Sequence, residues 1–175
     1  MDFTDVIIKR RSHRKFTQDT ISDEKIKKII EAGRLAPTWA NKQGVNYIIV
    51  KNRSLIKEMA NGINQKWTEN APILIVVCIE PNRSGKNING LEYFTVDAAI
   101  CMEHIVLAAT NEGLGTCWIG LFDEQKIKKT LSIPEKVRVI ALTPLGYSRY
   151  TPREQKRKSI DQICFSEKWG NNIKF

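Results

Sequence analysis

Histidine is nearly missing from this chain: His13 and His104 are the only two in 175 residues. Cysteine is scarce and scattered, at Cys78, Cys101, Cys117 and Cys164, with no CxxC pair. Neither histidine has a ligand-spaced cysteine beside it, so the pattern argues against a metal site. The cysteines read as buried, reduced thiols. No apolar run approaches the roughly 20 residues that a membrane span needs, and the N-terminus lacks an apolar signal region. A soluble, cytoplasmic protein without a membrane partner is expected. Catalytic pairings are also lacking. Cys117 has no base near it in sequence, and neither Asp97 nor Glu103 stands at a catalytic spacing from His104. An enzyme of this composition would take its chemistry from a cofactor. Acidic residues are under-represented: 19 against 28 lysines and arginines, a net charge of +9. That excess favours anionic partners without choosing among them. There is no internal repeat, low-complexity tract or linker, so residues 1–175 are expected to form one domain.

What is present is concentrated in four polar stretches. The first is KRRSHRKF at 9–16, with three arginines and two lysines in eight positions. Arg10, Arg11 and Arg14 offer planar N–H forks suited to phosphate, and Ser12 adds a hydroxyl. Two readings are open: an anion site, or a solvated basic face at a helix C-terminus, where cations complement the dipole. The second stretch is PTWANKQ at 37–43, where Thr38, Asn41 and Gln43 bring amides and a hydroxyl beside Trp39. Tryptophan in such a place is more often a packing anchor than a ring-stacking partner. The third is GLGTCWIG at 113–120, whose glycines permit close backbone approach. The fourth is the basic run at 153–158, which by itself could be a solvated face. Together these are the parts that a phosphorylated aromatic cofactor requires.

Periodicity predicts a short helix over 2–10 and another that starts at an N-cap, Ser22, and runs to Pro37. A strand is expected over 45–50 and a helix through Leu55–Ile63. The apolar run at 73–79 reads as a strand covered on both faces. The polar segment 81–90 is the best candidate for a mobile loop. A buried helix over 96–110 stops at Gly113, Asp123 caps a short basic helix to Leu131, and a strand is expected over 137–142. The tail carries Phe165, Trp169 and Phe175, aromatic residues that suggest docking on a second subunit. Mixed helices and strands indicate a layered α/β or α+β domain.

The order RRSHRKF, APTWANKQ, EGLGTCWIG and then a basic segment resembles the nitroreductase family of flavoenzymes, from about Val6 to Ile160. The resemblance implies an α+β three-layer sandwich with a central mixed β-sheet flanked by helices. It also implies a homodimer with a C-terminal tail exchanged between partners, and FMN at the dimer interface. NADH or NADPH would reduce the flavin, which would then reduce a small-molecule acceptor such as a nitroaromatic or quinone. Matched position by position, Arg10, Arg11 and Ser12 fall toward the phosphate and ribityl, and Arg14 at the pyrimidine edge of the ring. Pro37, Thr38, Trp39 and Asn41 match the stretch given to the other subunit's flavin. Asn64 falls where an amide meets the ring, and Trp118, Ile119, Gly120 and Leu121 match the segment on the flavin N5 side. Lys156 and Arg157 match the second phosphate-binding element. The chain departs from the family at Thr38–Trp39, where small residues are common, at Gly44–Val45, where Pro-Trp is usual, and at Gln155, where lysine is common. A flavin store or sensor without turnover is the alternative. A nucleic-acid binder is disfavoured, because the aromatics do not interleave with the basic clusters.

Overall fold

A computed structural model describes residues 1–173. In chain order the main elements are α1 (Phe3–Lys9), α2 (Asp23–Arg34), β1 (Val45–Val50), α3 (Arg53–Ile63) and β2 (Ile73–Ile79). There follow α4 (Phe94–Asn111), β3 (Gly115–Thr116), α5 (Glu124–Leu131) and β4 (Arg138–Gly146). The strands form one sheet in the order β1-β2-β4-β3.

β2 is buried at every position, as its unbroken apolar run requires. Its side chains alternate between two helical layers. Leu74, Val76 and Cys78 pack with Ile56, Met59 and Ile63 of α3 and Ile127 of α5. Ile73 and Ile75 meet Ile26 and Ile29 of α2 and Ile105 of α4. Val77 and Ile79 meet Phe94, Ala98 and Met102 of α4. The result is the three-layer α+β sandwich, with the sheet in the middle.

The helix boundaries follow their caps. Ser22 Oγ accepts the Lys25 N–H at 3.3 Å and Asp123 Oδ1 accepts the Lys126 N–H at 3.1 Å, each satisfying an otherwise orphaned donor. α4 ends before Gly113, whose φ of 76° suits glycine.

Three expectations change. The sheet is not mixed: every strand pair in it is antiparallel, and parallel pairing among the described residues is confined to the isolated bridge between Ser12 and Thr116. β4 runs on to Gly146 instead of stopping at Leu142. Pro144 cannot donate to the ladder, but the Cys117 N–H donates to the Thr143 hydroxyl at 3.1 Å and holds the neighbouring chain in place. The segment 81–90 is not uniformly loose: Ser84 is buried and Gly85 lies against the Trp39 ring. Within the chain the tail makes an antiparallel bridge between Phe165 and Asn172, with the Phe165 and Trp169 rings 4.8 Å apart. Phe175 lies outside the described residues. Among those residues no helix is long and apolar enough to cross a membrane.

Candidate functional site

After α1 the chain runs out in extended form along the far edge of the sheet. The His13 N–H donates to the Thr116 carbonyl at 2.7 Å, which ties the basic stretch to β3. Gly115 makes this approach possible, since a Cβ there would sit 2.7 Å from the His13 ring. Further on, the Thr17 N–H donates to the Tyr147 carbonyl at 2.9 Å and the Arg149 N–H to the Lys15 carbonyl at 3.2 Å. Residues 12–17 are therefore stitched between β3 and the chain leaving β4. That stitching carries the C-terminal basic run back over the N-terminal one.

Between them lies an open cleft of about 670 Å³. Arg10, Arg11, Ser12 and Arg14 line it from one side and Arg157 from the other, with Arg153, Gln155 and Tyr150 completing the wall. One acid, Glu154, lines it too. Its carboxylate is 3.7 Å from the Arg11 guanidinium, but its side chain is 81% exposed, so the pair contributes little. Arg11 also donates to the carbonyls of Ile8 and Arg10, which fixes its guanidinium at the end of α1. No carboxylate pairs with Arg10, Arg14 or Arg157 among the described residues. The cleft is thus a concentration of forked donors, of the kind that suits an anion.

Arg14 reaches beyond the cleft. Its guanidinium lies 6.0 Å from the Trp67 ring, and both residues line a neighbouring hollow of about 390 Å³ with Lys15 and Arg149. Trp67 and Tyr150 were missed by sequence reasoning. Tyr150 had a usable signal, as an aromatic residue inside an otherwise polar run. Trp67 had none, because only folding brings the short turn after α3, Lys66–Asn70, to Arg14.

Of the residues matched at 118–121, Trp118 and Leu121 are exposed, at 40% and 77%. Ile119 is buried, and its backbone N–H and carbonyl both bond Leu142, at 2.9 and 3.0 Å. It is a core anchor that holds Trp118 and Gly120 at the surface. Asn64 ends α3 in the left-handed conformation, φ 54°. The Asp123 N–H donates to the Gly62 carbonyl at 2.8 Å, which draws the 118–123 segment to that same helix end. Lys156 is exposed and does not line the cleft. Pro37, Thr38, Trp39 and Asn41 do not line it either. They form a separate turn, in which the Trp39 ring packs 4.7 Å from that of Tyr93.

Two titratable groups next to cleft residues, Cys117 and His13, are shifted by their surroundings. Burial pushes the Cys117 thiol up, against the pull of Arg14, the Ser12 hydroxyl and Arg10. A thiol so protonated is a poor nucleophile. Burial lowers the His13 pKa, with Arg10 and Arg11 adding to the shift and the Tyr150 backbone opposing it. The His13 Nδ1 is buried without a hydrogen-bond partner. A histidine held below its unfolded pKa stabilises the fold above that value, and the stability is lost as pH falls toward the lowered one. Stability should therefore fall on going from about pH 7.5 to about pH 5.5, a window in which most carboxylates remain ionised. Urea unfolding at the two pH values should show a smaller fall for His13→Gln than for the native chain. Equal falls in both would exclude His13 as the source.

Comparison with known proteins bears on the same segments. The model of the nitroreductase family matches residues 7–68 and 57–147. An Archaeoglobus fulgidus protein named for NADH dehydrogenase/NAD(P)H nitroreductase activity is 33% identical over 94% of this chain and 97% of its own. The FMN reductase [NAD(P)H] of Bacillus subtilis is 31% identical over 92% of this chain and 72% of its own. A crystal structure of a nitroreductase family protein from Clostridium novyi NT superposes with a TM-score of 0.82 at 42% identity, covering 99% of this chain and 97% of that one.

Proposed function

Because the chain belongs to the nitroreductase family, we propose that it is an FMN-dependent oxidoreductase in which NADH or NADPH reduces the flavin and a small-molecule acceptor, such as a nitroaromatic or quinone, re-oxidises it. The observation that carries this reading is the convergence of Arg10, Arg11 and Ser12 with Arg157 in one cleft. A volume of about 670 Å³ is in the range that holds a cofactor of this size. Forked donors with no carboxylate partner beyond the exposed Glu154 beside Arg11 suit a phosphate. The neighbouring turn at 118–121 presents the exposed Trp118 and Leu121, with Gly120 between them, as a face for a flat ring.

When bound, the flavin supplies the hydride chemistry. The chain's own part is to hold and polarise it. Arg10, Arg11, Ser12 and Arg157 would hold the phosphate and so fix the register. Arg14, on the same cleft, would supply a cation to stabilise the negative charge that a flavin ring gains on reduction. Ile119, locked to Leu142, keeps the 118–121 backbone at a set height.

The reading includes a cytoplasmic homodimer whose partner turn, Pro37–Asn41, completes each site. Exposed Phe3, Ile7 and Ile8 on α1 and Trp169 in the tail leave apolar surface that a second copy would cover. Among the described residues no strand pairs with the outer edge of β1, and grooves of about 410 and 560 Å³ flank it on its two faces. A partner's tail laid along that edge would set alternate side chains into both.

The protein should purify yellow and release FMN, not FAD, on denaturation, and anaerobic NADH or NADPH should bleach it. Colourless protein that fails to take up added FMN would sink the proposal. Yellow protein that neither nucleotide bleaches would make it a flavin store or sensor.

A further inference from the structure

Asp97 stands near the start of α4 and is 2% exposed. Its Oδ1 accepts the Trp39 N–H at 2.9 Å and its Oδ2 accepts the hydroxyl of the buried Ser84 at 2.7 Å. No lysine, arginine or histidine among the described residues forms an ion pair with it. A carboxylate buried without a cation is costly, and an apolar side chain would fill a helix face more cheaply. Its two oxygens instead tie two separate loops to one helix.

The first loop is the turn at 37–43. Ala40, Asn41 and Gln43 all adopt left-handed backbone angles, φ 45°, 54° and 51°. Non-glycine residues are held there only where the surroundings over-determine them. The second loop is 81–93, and it closes over the first. A Cβ on Gly85 would sit 2.1 Å from the Trp39 indole, and one on Gly44 would sit 2.6 Å from the Arg83 carbonyl oxygen. The Lys42 ammonium donates to the Ser84 carbonyl at 2.6 Å. The indole of Trp39 is consumed in this packing, while Pro37, Ala40 and Asn41 remain exposed.

We propose that Asp97 is a positioning residue that acts on the flavin site of the partner subunit. It holds Trp39 by the backbone and so sets the outward presentation of Pro37 and Asn41 to the neighbour's cofactor. The inference rests on the composite-site reading above. Asp97 does not line its own subunit's cleft. Its loss should therefore be felt across the dimer.

Asp97→Ala leaves the Trp39 N–H and the Ser84 hydroxyl unsatisfied and should weaken FMN binding by about tenfold or more. Asp97→Asn can still accept from Trp39 and donate to Ser84, whose hydroxyl can turn to accept, so it should stay within about threefold of the native affinity. Ser84→Ala removes one of the two bonds, and it serves as the reporter if Asp97→Ala does not fold. FMN titration of mixed dimers, followed by flavin fluorescence, separates positioning from simple damage. Asp97→Ala mixed with Arg157→Ala should regain one tight site per heterodimer, because each subunit supplies what the other lacks. Asp97→Ala mixed with Asn41→Ala should regain none, since both lesions fall on the same turn. Asn41→Ala mixed with Arg157→Ala is the control for the composite site itself. If that control fails to regain a site, the underlying dimer reading is wrong. If the control recovers and neither Asp97→Ala nor Ser84→Ala complements Arg157→Ala, the role assigned to Asp97 is wrong.

Discussion

Arg157→Ala should weaken FMN binding by roughly tenfold to a hundredfold while leaving riboflavin binding nearly unchanged, because a charge-assisted hydrogen bond is worth about 1.5–3 kcal/mol. Arg157 suits this test because it has little else to do. Its guanidinium is exposed and makes one long bond, at 3.4 Å, to the neighbouring Lys156 carbonyl. Removing it should disturb the cleft and spare the fold, so thermal stability without FMN should be unchanged. Arg11 makes an instructive contrast. Its side chain also satisfies the Ile8 and Arg10 carbonyls at the end of α1. Arg11→Ala should lower FMN affinity by a similar factor and also cost stability in the flavin-free protein, where it leaves helix-end carbonyls without partners. The double variant should lose less than the product of the two, because both groups address one phosphate. Isothermal titration with FMN and with riboflavin reads all of this. If FMN and riboflavin weaken equally in Arg157→Ala, the phosphate role is excluded.

Mixing Arg14→Ala with Asn41→Ala should restore activity that neither variant shows alone. Arg14 lines the cleft of its own chain, whereas Asn41 lies on a turn that does not reach that cleft. In a composite site built across a two-fold axis, one heterodimer site receives both lesions and the other receives neither. Random exchange of subunits gives about half of all dimers as heterodimers, so about a quarter of the sites should recover. Activity near that fraction, appearing only as the subunits exchange, is the expected result. Heterodimers that form and stay inactive would overturn the composite site, and so would sedimentation of an FMN-saturated monomer. Deleting residues 165–175 should lower dimer stability and FMN occupancy together. The exposed Ile160, Ile163 and Trp169 show how little of the tail's apolar surface is covered within one chain.

Local chemistry in the sequence was enough to determine the helices and the longer strands, and a layered domain built from them. The unbroken run Ile73–Ile79 could only be a strand covered on both faces, and α4 is helical and largely buried because its apolar residues recur around the circumference. Ser22, Asp123 and Gly113 marked helix ends because capping is a matter of a few neighbouring residues. The basic stretch 9–16 and the run at 153–158 were legible as anion-seeking side chains. That they share one cleft was not, because residues about 140 positions apart are joined only through β3, β4 and the bonds from His13, Thr17 and Arg149. Tertiary structure also sorted the matched segments. It buried Ile119 against Leu142, turned the Trp39 ring inward under Gly85, and placed Trp67 beside Arg14. It made the sheet antiparallel, since strand direction depends on how the chain returns and not on the composition of any strand. It gave Asp97 two loops to hold, a role that a single carboxylate in an apolar helix cannot announce, because its partners, Trp39 and Ser84, lie 58 and 13 residues away.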